Sequence, residues 1–284
     1  MSRGQDTPNW DSWDGGFDGV FGRLYQSAFG GGTIDEGVIY ASLNGSGTVG
    51  GVQYQPGDIL LFDQASEGWT MYFDASDLGL NDNLAAFDAR PNGNLLLTFQ
   101  SAQTIAGLGS VSPNDVVEFT PSSTGANTAG TFAWYFDGSD VGLAASAERI
   151  DAIALDPTGK LLISTTGSAS VPGASAVDED LLQFTATSLG QDTAGSWQLY
   201  FDGSDEGLSI DLVGAWVDPA GGDLYLNFLQ TVNLDGATIN PLAIARCQPV
   251  SLGSNTNVQC ELYWDGSNLG LAGKQLTGIS LSLP

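Results

Sequence analysis

No histidine occurs anywhere in the 284-residue chain. That absence removes the His-based nucleophilic triad, the imidazole general base and the histidine zinc site together. Lysine and arginine number 7 against 33 aspartates and glutamates, for a net charge of −26. So few cations cannot build a phosphate-reading patch, and the negative surface repels nucleic acid and anionic lipid. Charged residues make up only 14% of the chain, so the imbalance reflects missing lysine more than added acid. No apolar run approaches the roughly 18 residues of a membrane span. Met1-Ser2-Arg3-Gly4 leads into polar residues without an apolar signal core. Export is therefore expected either after removal of a signal or by another route. Cysteine is limited to Cys247 and Cys260, no Gly-x-Ser-x-Gly elbow occurs, and Gly30-Gly31-Gly32-Thr33 lacks the lysine of a phosphate loop.

What the chain has in quantity is glycine, 39 residues of it, and an apolar content of 42% that suffices for a core. It also repeats. Tyr72-Phe73-Asp74-Ala75-Ser76-Asp77-Leu78-Gly79-Leu80 returns at Tyr135, at Tyr200 and, more worn, at Tyr263, a period of 63 to 65 residues. Self-similarity at such a period marks a repeat architecture. Aligned on the phrase, each unit shows four short runs rich in Val, Ile, Leu and aromatics, separated by Gly, Pro, Asn and Asp. In the third unit these are Ile150–Leu155, Lys160–Ser164, Asp180–Thr185 and Trp197–Asp202, with a long loop from Thr165 to Val177.

Four antiparallel strands per unit in tandem predict an all-β, four-bladed β-propeller. Its blades span about 36–80 plus 275–283, 81–143, 144–208 and 209–271. The tail Gln275 to Pro284 matches a first strand with no blade after it, while the first unit opens at a second strand, Gly37 to Ser42. The last strand is therefore expected to complete blade one and close the ring, which leaves no inner edge exposed. Ala86, Ala152, Gly214 and Gly278 share one aligned position, as a crowded axis requires. Residues 1–35 stand apart as an aromatic, glycine-rich arm. Trp10, Trp13, Phe17, Phe21, Tyr25 and Phe29 recur at helical spacing, and Gly30-Gly31-Gly32 would stop a short helix. The arm either packs on the ring or docks a partner through Trp10, Trp13, Phe17, Phe21 and Tyr25.

Cys247 and Cys260 align with Phe62 and Trp69, Phe119 and Phe132, Phe184 and Trp197 in the other blades. Those read as cross-strand pairs, so a Cys247–Cys260 disulfide is expected in place of an aromatic pair, and with it an oxidising compartment. Two free buried thiols are the alternative. The repeated phrase supplies Asp74, Asp77, Asp137, Asp140, Asp202, Asp205, Asp265 and Asn268 to the blade-to-blade connections, where Asp178 and Asp180 approach from a long loop. Such oxygen-rich turns suit a hard cation such as Ca²⁺. Equally, Asp and Ser cap their own turns through backbone N–H groups. Asp178-Glu179-Asp180 departs from the repeat, since the other units hold Gly57-Asp58, Asn114-Asp115 and Pro241-Leu242 there.

Ile150 to Leu208, with Leu162-Ile163-Ser164-Thr165-Thr166-Gly167, Ser170-Val171-Pro172-Gly173, Asp178-Glu179-Asp180-Leu181 and Tyr200-Phe201-Asp202-Gly203-Ser204-Asp205, resembles tandem repeats of large secreted bacterial proteins. Adhesion-like modules neighbour those repeats. The resemblance covers about residues 36 to 284. It implies an exported, repeat-built β protein and transfers no catalytic residue. The expectation is a non-enzymatic secreted or cell-surface binding or assembly module, an adhesin or appendage component steadied by Ca²⁺. Its partners would be protein, self included, or glycan, with no nucleic acid and no membrane insertion. The alternative is a glycan-binding lectin or a carboxylate-dependent carbohydrate-active enzyme on the long-loop face.

Overall fold

The computed structural model describes residues 37–80 and 82–284. The arm of residues 1–35, with its aromatic docking candidates, lies outside the described residues. Four antiparallel sheets of four strands each organise the remainder. Their first strands are Leu276–Ser282, Leu84–Ala89, Ile150–Leu155 and Leu212–Val217, each lying beside the first strands of the two neighbouring sheets. The fold is a four-bladed β-propeller. Blade three shows the plan: Ile150–Leu155, Leu161–Thr165, Leu181–Ser188 and Ala194–Phe201 run from the axis outward. Among the described residues no helix is long and apolar enough to cross a membrane.

Blade one is made from both ends of this body. Leu276–Ser282 pairs antiparallel with Val38–Leu43, with Ala41 opposite Ile279 and Tyr40 opposite Ser280. Leu276, Ile279 and Leu281 are buried because blades two and four cover them on either side. The small residues of the first strands have a steric reason. A Cβ on Gly214 would meet Cγ1 of Ile279 at 3.1 Å, and one on Gly278 would meet Cδ1 of Phe87 at 3.0 Å. Neighbouring inner strands converge there, so anything larger than Ala86 or Ala152 forces the blades apart.

The expected long loops between second and third strands are instead small two-stranded ribbons. Ala169–Val171 pairs with Ala174–Ala176, and the same unit recurs at Gly47–Val49, Gln103–Ile105 and Val232–Leu234 with their partners. Three-residue strands are too short to reveal a period. Burial of Ala169, Val171 and Ala176 against blade three holds one face of the ribbon down.

The outer hairpins keep the cross-strand register expected for them. Phe62 faces Trp69, Phe119 faces Phe132, Phe184 faces Trp197, and Cys247 faces Cys260 in a disulfide. The ring pairs lie 4.7 to 4.9 Å apart by centroid. The phenylalanine of the repeated phrase then packs edge-on against the next blade's pair: Phe73 on Phe119 at 5.3 Å and Phe136 on Phe184 at 5.2 Å. Burying a ring of this size contributes about 2–3 kcal/mol, so these rings carry much of the blade-to-blade cohesion.

Candidate functional site

The aspartates of the repeated phrase are placed at three near-identical junctions between blades. At each, the tip of one blade's outer hairpin reaches back to the exit of the preceding blade. The second aspartate accepts from a threonine N–H in the next blade: Asp77 from Thr128 at 2.7 Å, Asp140 from Thr193 at 2.9 Å, Asp205 from Thr256 at 2.7 Å. The threonine Oγ1 in turn accepts the N–H of Asp74, Asp137 or Asp202, each at 2.9 Å, and donates to the carbonyl of Gly125, Gly190 or Gly253. Those glycines have φ of +93°, +105° and +89°, a region costly for any other residue, and their N–H groups donate back to Tyr72, Tyr135 and Tyr200. The first aspartate of each phrase caps its own turn: Asp74, Asp137 and Asp202 each accept the hydroxyl of the serine two residues on, at 2.7 Å.

The junction from blade four to blade one is built differently. Asp265 still caps its turn through Ser267 N–H, but Asn268 stands where the others have the bridging aspartate. Blade one's outer hairpin is short, and Asp63 caps it through Ala65 and Ser66. The seam is held by Trp69 Nε1 donating to the Leu269 carbonyl at 3.1 Å, by Gln64 on the Tyr263 hydroxyl, and by Phe62 against Trp264.

Asp180 matches Asp58 and Asp115. Each accepts a turn N–H from its own ribbon end and a second N–H from the phrase, at Ala75, Gly138 or Gly203. The ten residues considered as cation ligands are therefore dispersed over four junctions, and most of their carboxylates accept backbone or serine donors. Among the described residues no group of three acids or cysteines is placed to hold a metal ion. Replacing Thr193 by valine keeps the shape but leaves the half-buried Asp137 N–H without an acceptor. The expected cost is about 2 kcal/mol, read as a lower urea midpoint at unchanged slope.

The feature that breaks the fourfold pattern lies at the axis. A cavity of about 390 Å³ is lined by the starts of first strands, Asp151, Val213 and Thr277 among them, and by the ends of second strands, such as Phe99. It thus opens at the mouth of the ring on the ribbon side. At the level of Asp151 the other blades carry Ala85, Val213 and Thr277, so one inner strand alone brings an acid. Asp151 is 7% exposed, and neither of its carboxylate oxygens accepts a hydrogen bond among the described residues. Oδ1 of Asp211, also lining the cavity, is in the same position.

The two carboxyls are within reach of sharing a proton. Burial, then the charge of Asp211, holds Asp151 protonated well above the usual carboxylate range. Burial and the nearby Asp178 push Asp211 up to about 6. Burial and a hydrogen bond with Asp178 push Glu179 up to about 7. Exposed Arg149 stands at the rim, two residues before Asp151. Of the Asp178-Glu179-Asp180 run that sets this blade apart in sequence, Asp178 lies close enough to act on both carboxyls, Glu179 contacts Asp178, and Asp180 takes the bonds that Asp58 and Asp115 take in their blades. Asp151 and Asp211 were missed. The signal of Asp151 was an acid within an otherwise apolar inner-strand run, aligned with alanine, valine and threonine; Asp211 stands just before its strand in line with Asn83, Arg149 and Gln275, where a polar residue is no departure.

A larger cavity of about 580 Å³ lies at the other mouth, among the short turns, lined by Tyr40, Tyr72, Trp216 and Leu281 with Asp88 and Arg90. Its three acids are partnered: Ser280 donates to Asp88 at 3.2 Å, Gln183 to Asp156, and the Ala220 and Gly221 N–H groups to Asp218.

No family model matches the chain, and no curated protein resembles it in sequence. Solved structures align with it in part of their fold. The PQQ-bound aldose sugar dehydrogenase of Streptomyces coelicolor is 9% identical, with 84% of this chain and 85% of that one covered at a TM-score of 0.35. A luciferin-regenerating enzyme is 12% identical over 76% of this chain, which spans 62% of that protein's length, at a TM-score of 0.32. A virginiamycin B lyase of Staphylococcus aureus is 9% identical, with 80% and 71% covered, at 0.31. Likenesses this distant assign neither substrate nor chemistry.

Proposed function

We propose that this chain is an exported, non-enzymatic binding module whose ligand seat is the ribbon-side mouth of the propeller axis. One observation carries the reading: Asp151 is buried, lines a 390 Å³ cavity and, apart from the proton it can share with Asp211, has no protein donor on either oxygen. Buried polar groups are almost always satisfied, and those that are not tend to mark a site of use. The cavity is of the size that takes small ligands, and its wall is mixed apolar and polar. The rigid ring fixes the floor, while the ribbons around it are free to vary. The Cys247–Cys260 disulfide supports an oxidising, extracytoplasmic setting.

A second reading, a carbohydrate-active enzyme, draws on the same pair, because a proton shared by Asp151 and Asp211 is available to a leaving group at neutral pH. Saturation-transfer NMR against a panel of neutral sugars, amino acids and alkylamines separates the two. Binding of one class, lost in Asp151→Asn, is expected. Hydrolysis or elimination of a polysaccharide that dies with the same substitution would move the assignment to the enzyme. Silence across the whole panel would overturn the binding reading.

A further inference from the structure

We propose that the mouth cavity seats a primary ammonium group, the head of an alkylamine or of an amino acid. This rests on the binding reading above and adds the class of ligand. With both carboxyls ionised, three oxygens in the site have no protein donor: Oδ1 and Oδ2 of Asp151 and Oδ1 of Asp211. An –NH₃⁺ group carries three N–H donors and no acceptor. Number and sign both match. A hydroxyl brings one donor and no charge, so it cannot take the place of the proton that the two carboxyls share. A guanidinium brings five donors, more than the oxygens on offer. A hard divalent ion asks for six to eight oxygens, and among the described residues no third acid completes such a shell.

The surroundings agree. Asp178, on the connection leading from the ribbon into the third strand, adds negative potential at both carboxyls. Ile150, Val213 and Leu276 supply apolar wall for a short methylene stem. Arg149 at the rim is the cation among the lining residues, positioned for the far end of a zwitterion. The chemistry is an exchange. Without a ligand, the two carboxyls hold a proton between them. The ammonium takes its place, the proton leaves to solvent, and each aspartate is left ionised against the cation. The acid and cation facing this exchange are Asp178 from the ribbon side and Arg149 from the residue just before the strand.

The test is calorimetric titration of the intact chain at pH 7 with n-butylamine, 4-aminobutyrate, n-butanol and tetramethylammonium chloride. Butylamine and 4-aminobutyrate are expected to bind at least tenfold more tightly than butanol, which lacks the charge, and than tetramethylammonium, which lacks the N–H donors. Proton release should show as a heat that depends on the buffer. Tighter binding of 4-aminobutyrate than of butylamine, abolished in Arg149→Gln, would assign the amino-acid form; equal binding would assign the alkylamine. Asp151→Asn and Asp211→Asn should each lose at least tenfold in affinity. The selectivity among the four probes is read on the unaltered chain, so it stands even if a variant folds poorly. Butanol binding as well as butylamine would overturn the ammonium assignment and leave the seat. A sugar bound at the mouth with no amine response would do the same. No binding of any kind would remove both.

Discussion

A chain ending at Gln275 is expected to lose its cooperative unfolding transition altogether. The missing residues include the inner strand Leu276–Ser282, whose pairing partners are Val38 to Leu43 at the other end of the described chain. Its removal strips Leu276, Ile279 and Leu281 from the core at 0%, 1% and 2% exposure. It also leaves the N–H and C=O groups of Val38–Leu43 as an unpaired inner edge, which invites aggregation. A milder change tests the same point. Ile279→Ala should cost about 3–4 kcal/mol, because Ile279 also fills the space beside Gly214 in blade four. Differential scanning calorimetry reads both, and a synthetic peptide of residues 276–284 should restore the transition to the shortened chain. A truncated protein that melts like the full one would show that the ring does not depend on this closure.

The second large effect is an inverted dependence on pH. Asp88, fully enclosed, is pushed up to about 6 by burial, against which its bond to Ser280 and the charge of Arg90 act only in part. Asp211 rises to about 6, Glu179 to about 7, and Asp151 rises as well, burial leading in each case. All four bind a proton more tightly in the fold than in the unfolded chain. Stability therefore falls as pH rises through this range, the reverse of what salt-bridged carboxylates produce. Glu148 and Asp265 act in the other sense: burial raises them, but backbone and side-chain donors outweigh it and hold them low, so their contribution is lost only in stronger acid. Asp88 alone contributes a change on the order of 3 kcal/mol across its whole titration, about half of it above pH 5, and Asp211 and Glu179 add to it. Melting is expected roughly 6 °C or more lower at pH 7.5 than at pH 5. Asp88→Asn should flatten the profile. A melting temperature that climbs over that interval would contradict the assignment of protons to these groups.

Much of this architecture could be read from the letters because the repeat gave four aligned copies. The aromatic pairs and their cysteine substitute fell out of that alignment, as did the closing strand near Ile279. The ribbons did not, since three residues such as Ala169–Val171 are too few to show alternation and their burial comes from the blade beneath. The role of Asp77, Asp140 and Asp205 was hidden for another reason. Their partners Thr128, Thr193 and Thr256 lie 51 to 53 residues onward, and only the recurring Gly-x-x-Thr of Gly125, Gly190 and Gly253 hinted at them. For the site, looking for what the units share drew attention to acids that proved to be mortar. The acid that differs, Asp151, was visible only by asking which copy breaks ranks.

Three of the four junctions add an aspartate–threonine clasp to their ring contacts, and the fourth holds by ring contacts and side-chain bonds without that clasp. The molecule is thus less a uniform wheel than a belt with a buckle. Under tension applied to its two ends it yields at the buckle first, and the modules behind it stay strung together in a line.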